Sequence, residues 1–174
     1  MSANLKGKVA IVTGASRGIG KAIAETCASL GINLSIAARQ EGPLKEAADE
    51  IAKKYKVEVL AVPCDVTKLE DLENLVNKTK EKFHKIDILI NNAGVSSQYP
   101  FEKQPFEDFE RLAHTNYLGY VRMIRLVIND MIKNKSGAII NMVSGSTLCD
   151  PLPRNFLVYS SLKVGLRAFS KGLF

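Results

Sequence analysis

Short apolar runs alternate with longer stretches of helical period along this chain. Val9-Ala-Ile-Val12 is a compact run rich in β-branched residues and predicts a buried strand; the turn Thr13-Gly-Ala-Ser-Arg-Gly-Ile-Gly20 follows, and Lys21-Ala-Ile-Ala-Glu-Thr26 opens a helix. Asn33 to Arg39 alternates as a second strand. Gly42-Pro43 starts the next helix with proline at its first position, and Leu44, Ala47, Ala48 and Ile51 form one stripe along it to about Tyr55. Val57 to Val62 reads as a third strand closed by Pro63, and Thr67-Lys-Leu-Glu70 has the form of a capping box opening a helix through about Phe83. Ile86 to Ile90 is a fourth strand. Pro105 introduces a long helix with Phe109, Leu112, Leu118, Val121, Ile124 and Ile128 at apolar positions, ending near Asn134; Ala138 to Val143 is a fifth strand, and a last helix begins near Val158.

Strands and helices that alternate without repeats or linkers predict an α/β fold, a doubly wound parallel sheet of Rossmann type with helices on both faces. The 174 residues make one domain, 1–174, large enough to bury roughly 70% of its unfolded surface. Right-handed crossovers place every strand's C-terminal end on one edge, where ligands of such sheets bind near the switch in strand order. The residues at those ends are Thr13 to Gly20, Arg39, Asp65, Asn91 to Gly94 and Ser144, all polar or glycine-rich. The glycine turn aims free backbone N–H groups and a helix N-terminus at one point, which suits a phosphate. Its spacing, G-x-x-x-G-x-G, differs from the common dinucleotide fingerprint, and the glycines alone also fit an ordinary βα turn.

Composition narrows the function classes. A hydrophobic content of 46% with 24% charged residues is ordinary for a soluble globular protein. The N-terminus has no apolar signal-like region and no apolar run is long enough to span a bilayer, so a cytoplasmic or organelle-matrix location is expected. The net charge of +6 raises nucleic-acid binding as a possibility. However, Lys53, Lys54 and Lys56, Lys80, Lys82 and Lys85, and Lys133 and Lys135 close predicted helices, where they complement helix dipoles on the edge opposite the strand ends. No aromatic residues interleave with them, and no nucleic-acid partner is expected. Cys27, Cys64 and Cys149 fit neither a disulfide framework nor a zinc spacing and read as reduced structural thiols; His84 and His114 read as surface or helix residues, with no metal site expected.

Five stretches carry a resemblance to a known family: Thr13-Gly14-x-x-x-Gly18-x-Gly20, Asn91-Asn92-Ala93-Gly94, Asn116, the serine after the fifth strand, and Tyr159-Ser-Ser-Leu-Lys163. Together they resemble the short-chain dehydrogenase/reductase family over essentially the whole chain. The glycine spacing is that of its common, non-extended branch, which includes oxoacyl-carrier-protein reductases and carbonyl reductases. Tyr159 and Lys163 are four apart and share a helical face. A free tyrosine, with a pKa of about 10, is a poor base near neutrality; a neighbouring ammonium favours the phenolate and suits the phenol to proton transfer during carbonyl reduction or alcohol oxidation. Outside this setting such a pair is usually a solvated helix face.

The resemblance implies Tyr159, Lys163, Ser144 and Asn116 as catalytic residues: Lys163 also holds the nicotinamide ribose, the serine orients the substrate carbonyl and Asn116 supports a water-mediated proton relay. Ser144 matches the family's strand register, whereas counting back from Tyr159 gives Ser146, and both stay open; turn chemistry is the plainer role of either. The implied cofactor set is Gly14, Ser16, Arg17, Gly18, Ile19, Gly20, Arg39, Asp65, Asn91, Ala93 and Gly94 with Tyr159 and Lys163. Within it Asn91 also stabilises the central sheet, and Asp65, preceding the capping Thr67, is free to accept the adenine amino group. Where NAD-specific sheets place an acidic residue for the ribose 2′-hydroxyl, this chain has Ala38-Arg39; Arg39 and Arg17 can face a 2′-phosphate, which selects NADP(H).

Relatives continue beyond the equivalent of Phe174 through elements that close the substrate pocket, so the fold is expected to be C-terminally incomplete, with Leu162, Leu166 and Phe169 lacking covering partners. Leu148, Leu152, Phe156 and Leu157 suggest a partly apolar pocket wall. The expected function is an NADP(H)-dependent oxidoreductase that moves hydride between nicotinamide and a carbonyl/alcohol carbon of a small or lipid-like substrate. The alternative is a truncated, catalytically incompetent NADP-binding or subunit-interaction protein. Assembly as a homodimer or homotetramer, through the long helix and the Tyr/Lys helix, is implied by the resemblance.

Overall fold

The computed structural model describes residues 5–173. Five parallel strands, β1 (Val9–Thr13), β2 (Asn33–Ala38), β3 (Val59–Pro63), β4 (Ile88–Asn91) and β5 (Ala138–Asn141), form one sheet in the order β3-β2-β1-β4-β5. In-register pairs include Ile11 with Ser35 and with Leu89, and Asn91 with Asn141. The helices are α1 (Gly18–Ser29), α2 (Glu41–Tyr55), α3 (Leu69–Phe83), α4 (Phe106–Ala113), α5 (Gly119–Lys133) and α6 (Leu157–Lys171).

Both sheet faces are covered, which explains why β1 is apolar throughout instead of alternating. Ala10 and Val12 join Leu34, Ile36 and Ile90 beneath α1 and α2, where Ala24, Ala28, Leu44, Ala47 and Ile51 are buried. Ile11 and Leu89 face the other way, against Leu72, Leu75 and Val76 of α3 and Met123, Ile124 and Val127 of α5. Each fully buried Leu or Ile adds roughly 1.5–3 kcal/mol before conformational entropy is set against it. The chain winds outward from β1 to β3 and then returns to place β4 on the other side of β1. The switch in strand order lies between β1 and β4, which brings the glycine turn and Asn91–Gly94 together.

Several local expectations change. Helix α2 begins at Glu41, so Pro43 is its third residue; it still lies in the first turn, where a backbone N–H has no intrahelical acceptor. The capping box at Thr67 does not form. Helix α3 begins at Leu69 without a side-chain cap, because Thr67 donates both its N–H (3.0 Å) and its hydroxyl (2.8 Å) to Asp65 Oδ1. The long helix after Pro105 is interrupted by a π turn, His114–Leu118, between α4 and α5. Leu166 does not lack cover: α6 packs against this helix and β5, Leu166 is fully buried, and Phe169 meets the Tyr117 ring edge-on at 6.3 Å. The cysteines are all free thiols, but Cys149 is exposed and so holds no core together.

The lysines that close α3 lie at its end as expected and are paired, Lys80 with Asp130 and Lys82 with Glu58. Among the described residues, no helix is long and apolar enough to cross a membrane.

Candidate active site

A cleft of about 1000 Å³ opens over the C-terminal ends of the strands. One wall is the glycine turn, and its glycines do different work. Gly14 (φ +68°) and Gly18 (φ +59°) have left-handed backbones. A Cβ on Gly14 would come within 2.8 Å of Ala93 Cα, and one on Gly20 would overlap the Gly14 carbonyl oxygen and the Asn92 amide. The space that a Cβ of Gly18 would enter holds no protein atom within 4 Å. The turn is thus pressed onto the end of β4 on one side and open to the cleft on the other. Thr13 and Asn92, neither in the expected cofactor or catalytic set, fix that contact. Asn92 and Ala93 donate their N–H groups to Thr13 Oγ1 at 3.0 and 3.1 Å, and the Asn92 amide donates back to the Thr13 and Gly14 carbonyls at 3.0 and 3.2 Å.

Helix α1 has no side-chain cap, so its first N–H groups face the cleft as donors. This combination, an uncapped helix N-terminus beside an open glycine, fits a pyrophosphate. Ser16, Arg17, Ile19, Arg39, Asp65, Ala93 and Gly94 also line the cleft. Asp65 is partly engaged: its Oδ1 accepts from Thr67, and its own N–H is held by Asp71 at 2.8 Å. Burial opposes its charge, but the two Thr67 hydrogen bonds, with Arg39 and Lys68 nearby, outweigh it and hold the carboxyl below its ordinary range. His114 lies in a helical turn as expected and also lines the opposite wall.

Asn91 is placed differently from the rest of the predicted cofactor set. Fully buried, it donates to Asn141 Oδ1 at 3.0 Å, and Asn141 donates on to Ser170 at 2.9 Å, a tie between β4, β5 and α6 outside the cleft lining. The Asn91 Oδ1 atom has no hydrogen-bond partner.

Beyond the cleft, toward β5 and α6, stand the predicted catalytic side chains. Asn116, 0% exposed, lies in the π turn; its amide donates to the Val95 (2.8 Å) and Leu112 (3.1 Å) carbonyls while Oδ1 accepts from Val95 N–H at 3.2 Å. Lys163, 3% exposed, donates to the Met142 carbonyl at 2.7 Å and to the Tyr120 hydroxyl at 3.3 Å. Burial pushes its ammonium down to about 8. Tyr120, a residue missed from sequence, is pushed upward by burial and then by the nearby Tyr159. Tyr159 is half-buried with its ring edge-on to Phe156 at 6.5 Å. Ser144 and Ser146 are both present in one hydroxyl chain: Ser160 donates to Ser146 Oγ at 2.9 Å, and Ser146 donates to Ser144 Oγ from its hydroxyl at 3.0 Å and its N–H at 3.2 Å. Of the apolar wall, Leu148 is exposed and Leu152, Phe156 and Leu157 are half-buried.

A doubly wound parallel sheet with a phosphate-shaped glycine turn at its switch point, and a Tyr/Lys helix beyond β5, defines a class of dinucleotide-dependent enzyme. The profile described as short chain dehydrogenase matches residues 8–174, and the chain belongs to that family. An uncharacterized oxidoreductase of Staphylococcus saprophyticus is 37% identical over 169 residues, covering 97% of this chain and 71% of the relative. The solved structure of L-sorbose reductase from Gluconobacter frateurii, complexed with NADPH and L-sorbose, superposes with a TM-score of 0.93 at 34% identity, covering 99% of this chain and 65% of that one. NAD+-bound xylitol dehydrogenase gives 0.92 at 30% identity, covering 98% and 65%. The chain therefore spans about two thirds of the length of these proteins.

Proposed function

We propose that this protein is an NADP(H)-dependent oxidoreductase acting on the carbonyl/alcohol carbon of a small or lipid-like molecule. The observation that carries this reading is the buried Lys163 ammonium, held at the end of β5 one helical turn from Tyr159. A buried cation without a carboxylate partner is costly and recurs where chemistry needs it.

The glycine turn and the α1 N-terminus hold the pyrophosphate. Structures of almost the same backbone carry NADPH in one case and NAD+ in another, so the overall fold does not choose between them. The choice rests on side chains, and Arg17 and Arg39 on one cleft favour a 2′-phosphate. When bound, the nicotinamide supplies or accepts the hydride. In the reductive direction Tyr159 gives its proton to the substrate oxygen as the carbon is reduced, and Lys163 stabilises the phenolate left behind.

Hydrogen-bond accounting favours Ser144 over Ser146 as the serine on the substrate oxygen. Ser160 is 0% exposed and its hydrogen bond is to Ser146, so its proton goes there. The proton of Ser146 is then committed to Ser144, and Ser144, already accepting twice, has its own proton to donate. Both amide N–H groups of Asn116 are spent on the Val95 and Leu112 carbonyls and its Oδ1 accepts from Val95, so it acts by positioning Val95 and shaping the π turn.

The test is NADPH consumption with a panel of ketones, aldehydes and quinones. Wild-type turnover is expected with NADPH bound roughly 10–100-fold more tightly than NADH. Tyr159→Phe should lower turnover by about 10³-fold without changing cofactor affinity. Undiminished turnover in that variant would refute the assignment.

A further inference from the structure

Lys163 has three N–H donors, and the fold spends two of them. One goes to the Met142 carbonyl, whose own peptide N–H closes the sheet ladder on Asn91 O at 2.9 Å. The other goes to Tyr120, from the first turn of α5 directly after the π turn. The contact is double: the ammonium is 3.3 Å from the Tyr120 hydroxyl and 4.5 Å from the centre of its ring. Tyr120 is 1% exposed, and the lysine supplies the hydrogen bond of its hydroxyl.

We propose that Tyr120 is a positioning residue that keeps the Lys163 ammonium charged and aimed, leaving its third N–H for the reacting groups. The proposal rests on the role given above to the Tyr159/Lys163 pair. The groups in contact with the ammonium are the Met142 carbonyl from β5 and Tyr120 from α5, with Tyr159 one helical turn away on its own helix. No carboxylate is among them. Desolvation is what displaces the lysine, with no carboxylate to offset it. What keeps the proton is therefore a set of dipoles and a ring face, of which Tyr120 supplies two of three. The tyrosine itself is pushed upward by burial, so it stays neutral and serves as an acceptor throughout the working range. With the lysine already down to about 8, losing either contact moves its discharge into the physiological window.

The test is the titration of Lys163 by NMR on the apo protein with labelled lysine, the signal assigned by its loss in Lys163→Met. Tyr120→Phe keeps the ring and its volume and removes only the acceptor. The midpoint is expected to fall by about one pH unit in Tyr120→Phe and further in Tyr120→Leu. The alkaline limb of kcat/KM should move down with it, with little change in NADPH affinity. A Tyr120→Phe protein that folds and titrates at the wild-type midpoint would overturn the proposal, since mere packing predicts that result. A shifted midpoint supports it even where no carbonyl is reduced, an outcome that would count against the oxidoreductase reading alone.

Discussion

The two sides of the strand-order switch are built from different materials. On the β1 side the site is main chain: left-handed glycines, an uncapped helix end, and a turn so close to Asn92 and Ala93 that a methyl group does not fit. On the β5 side it is side chain: a buried lysine, a buried tyrosine and three linked hydroxyls from two segments. A main-chain site is part of the fold's own packing, so damage to it is damage to the fold. A side-chain site can be dismantled with the fold intact, and part of it is held against the fold's preference.

The largest expected effect lies on the first side. Gly20→Ala pushes a methyl into the Gly14 carbonyl, and either the turn or the start of α1 must move. A loss of about 3 kcal/mol or more in urea unfolding is expected; a change under about 0.5 kcal/mol would break the distinction. Next comes Lys163, where the sign reverses. Between pH 8 and 10.5 the unfolded chain still binds a proton that the folded chain has released, so stability from this group rises with pH through that window and is lowest below pH 8. The burden is about 3 kcal/mol at full size, and Lys163→Met should lack that rise. Unfolding of both proteins at pH 7 to 10 reads the difference, and parallel curves would remove the contrast. The smallest effect is in the hydroxyl chain. Ser146→Ala should lower turnover about tenfold with cofactor affinity unchanged, and Ser160→Ala should add nothing in that background because the chain is already cut. Additive losses would mean that the two serines act separately.

The same division decides what was legible in the sequence. Glycines at a strand-to-helix turn declare themselves by type, and the Tyr159/Lys163 spacing is local to one helix, so both could be read along the chain. Tyr120 could not be, because its contact with Lys163 spans 43 residues and depends on how α6 lies against α5. The Thr67 capping box failed because Asp65, two residues earlier, takes the backbone N–H that Glu70 would have accepted and turns the hydroxyl toward itself. Leu166 was expected to lack cover because α6 packs on the π turn and α4, whose geometry the helical pattern hides. Ser144 and Ser146 could not be separated by counting, since both sit where β5 passes into one short helical turn, Gly145–Leu148.

That π turn has a consequence for chain length. From Leu112 to Met131 the buried positions include Leu112, Asn116, Tyr120, Met123, Val127 and Met131, at intervals of four, four, three, four and four. An α-helix repeats every 3.6 residues, so this stretch carries one residue more than its turns require, and the widened turn absorbs it. Deleting a single residue between His114 and Leu118 would give an unbroken helix whose later half still presents Met123 and Val127 to the sheet. The fold could therefore spare that residue, while the placement of Asn116 against Val95 could not. A gap there would pass a test of folding and fail a test of chemistry.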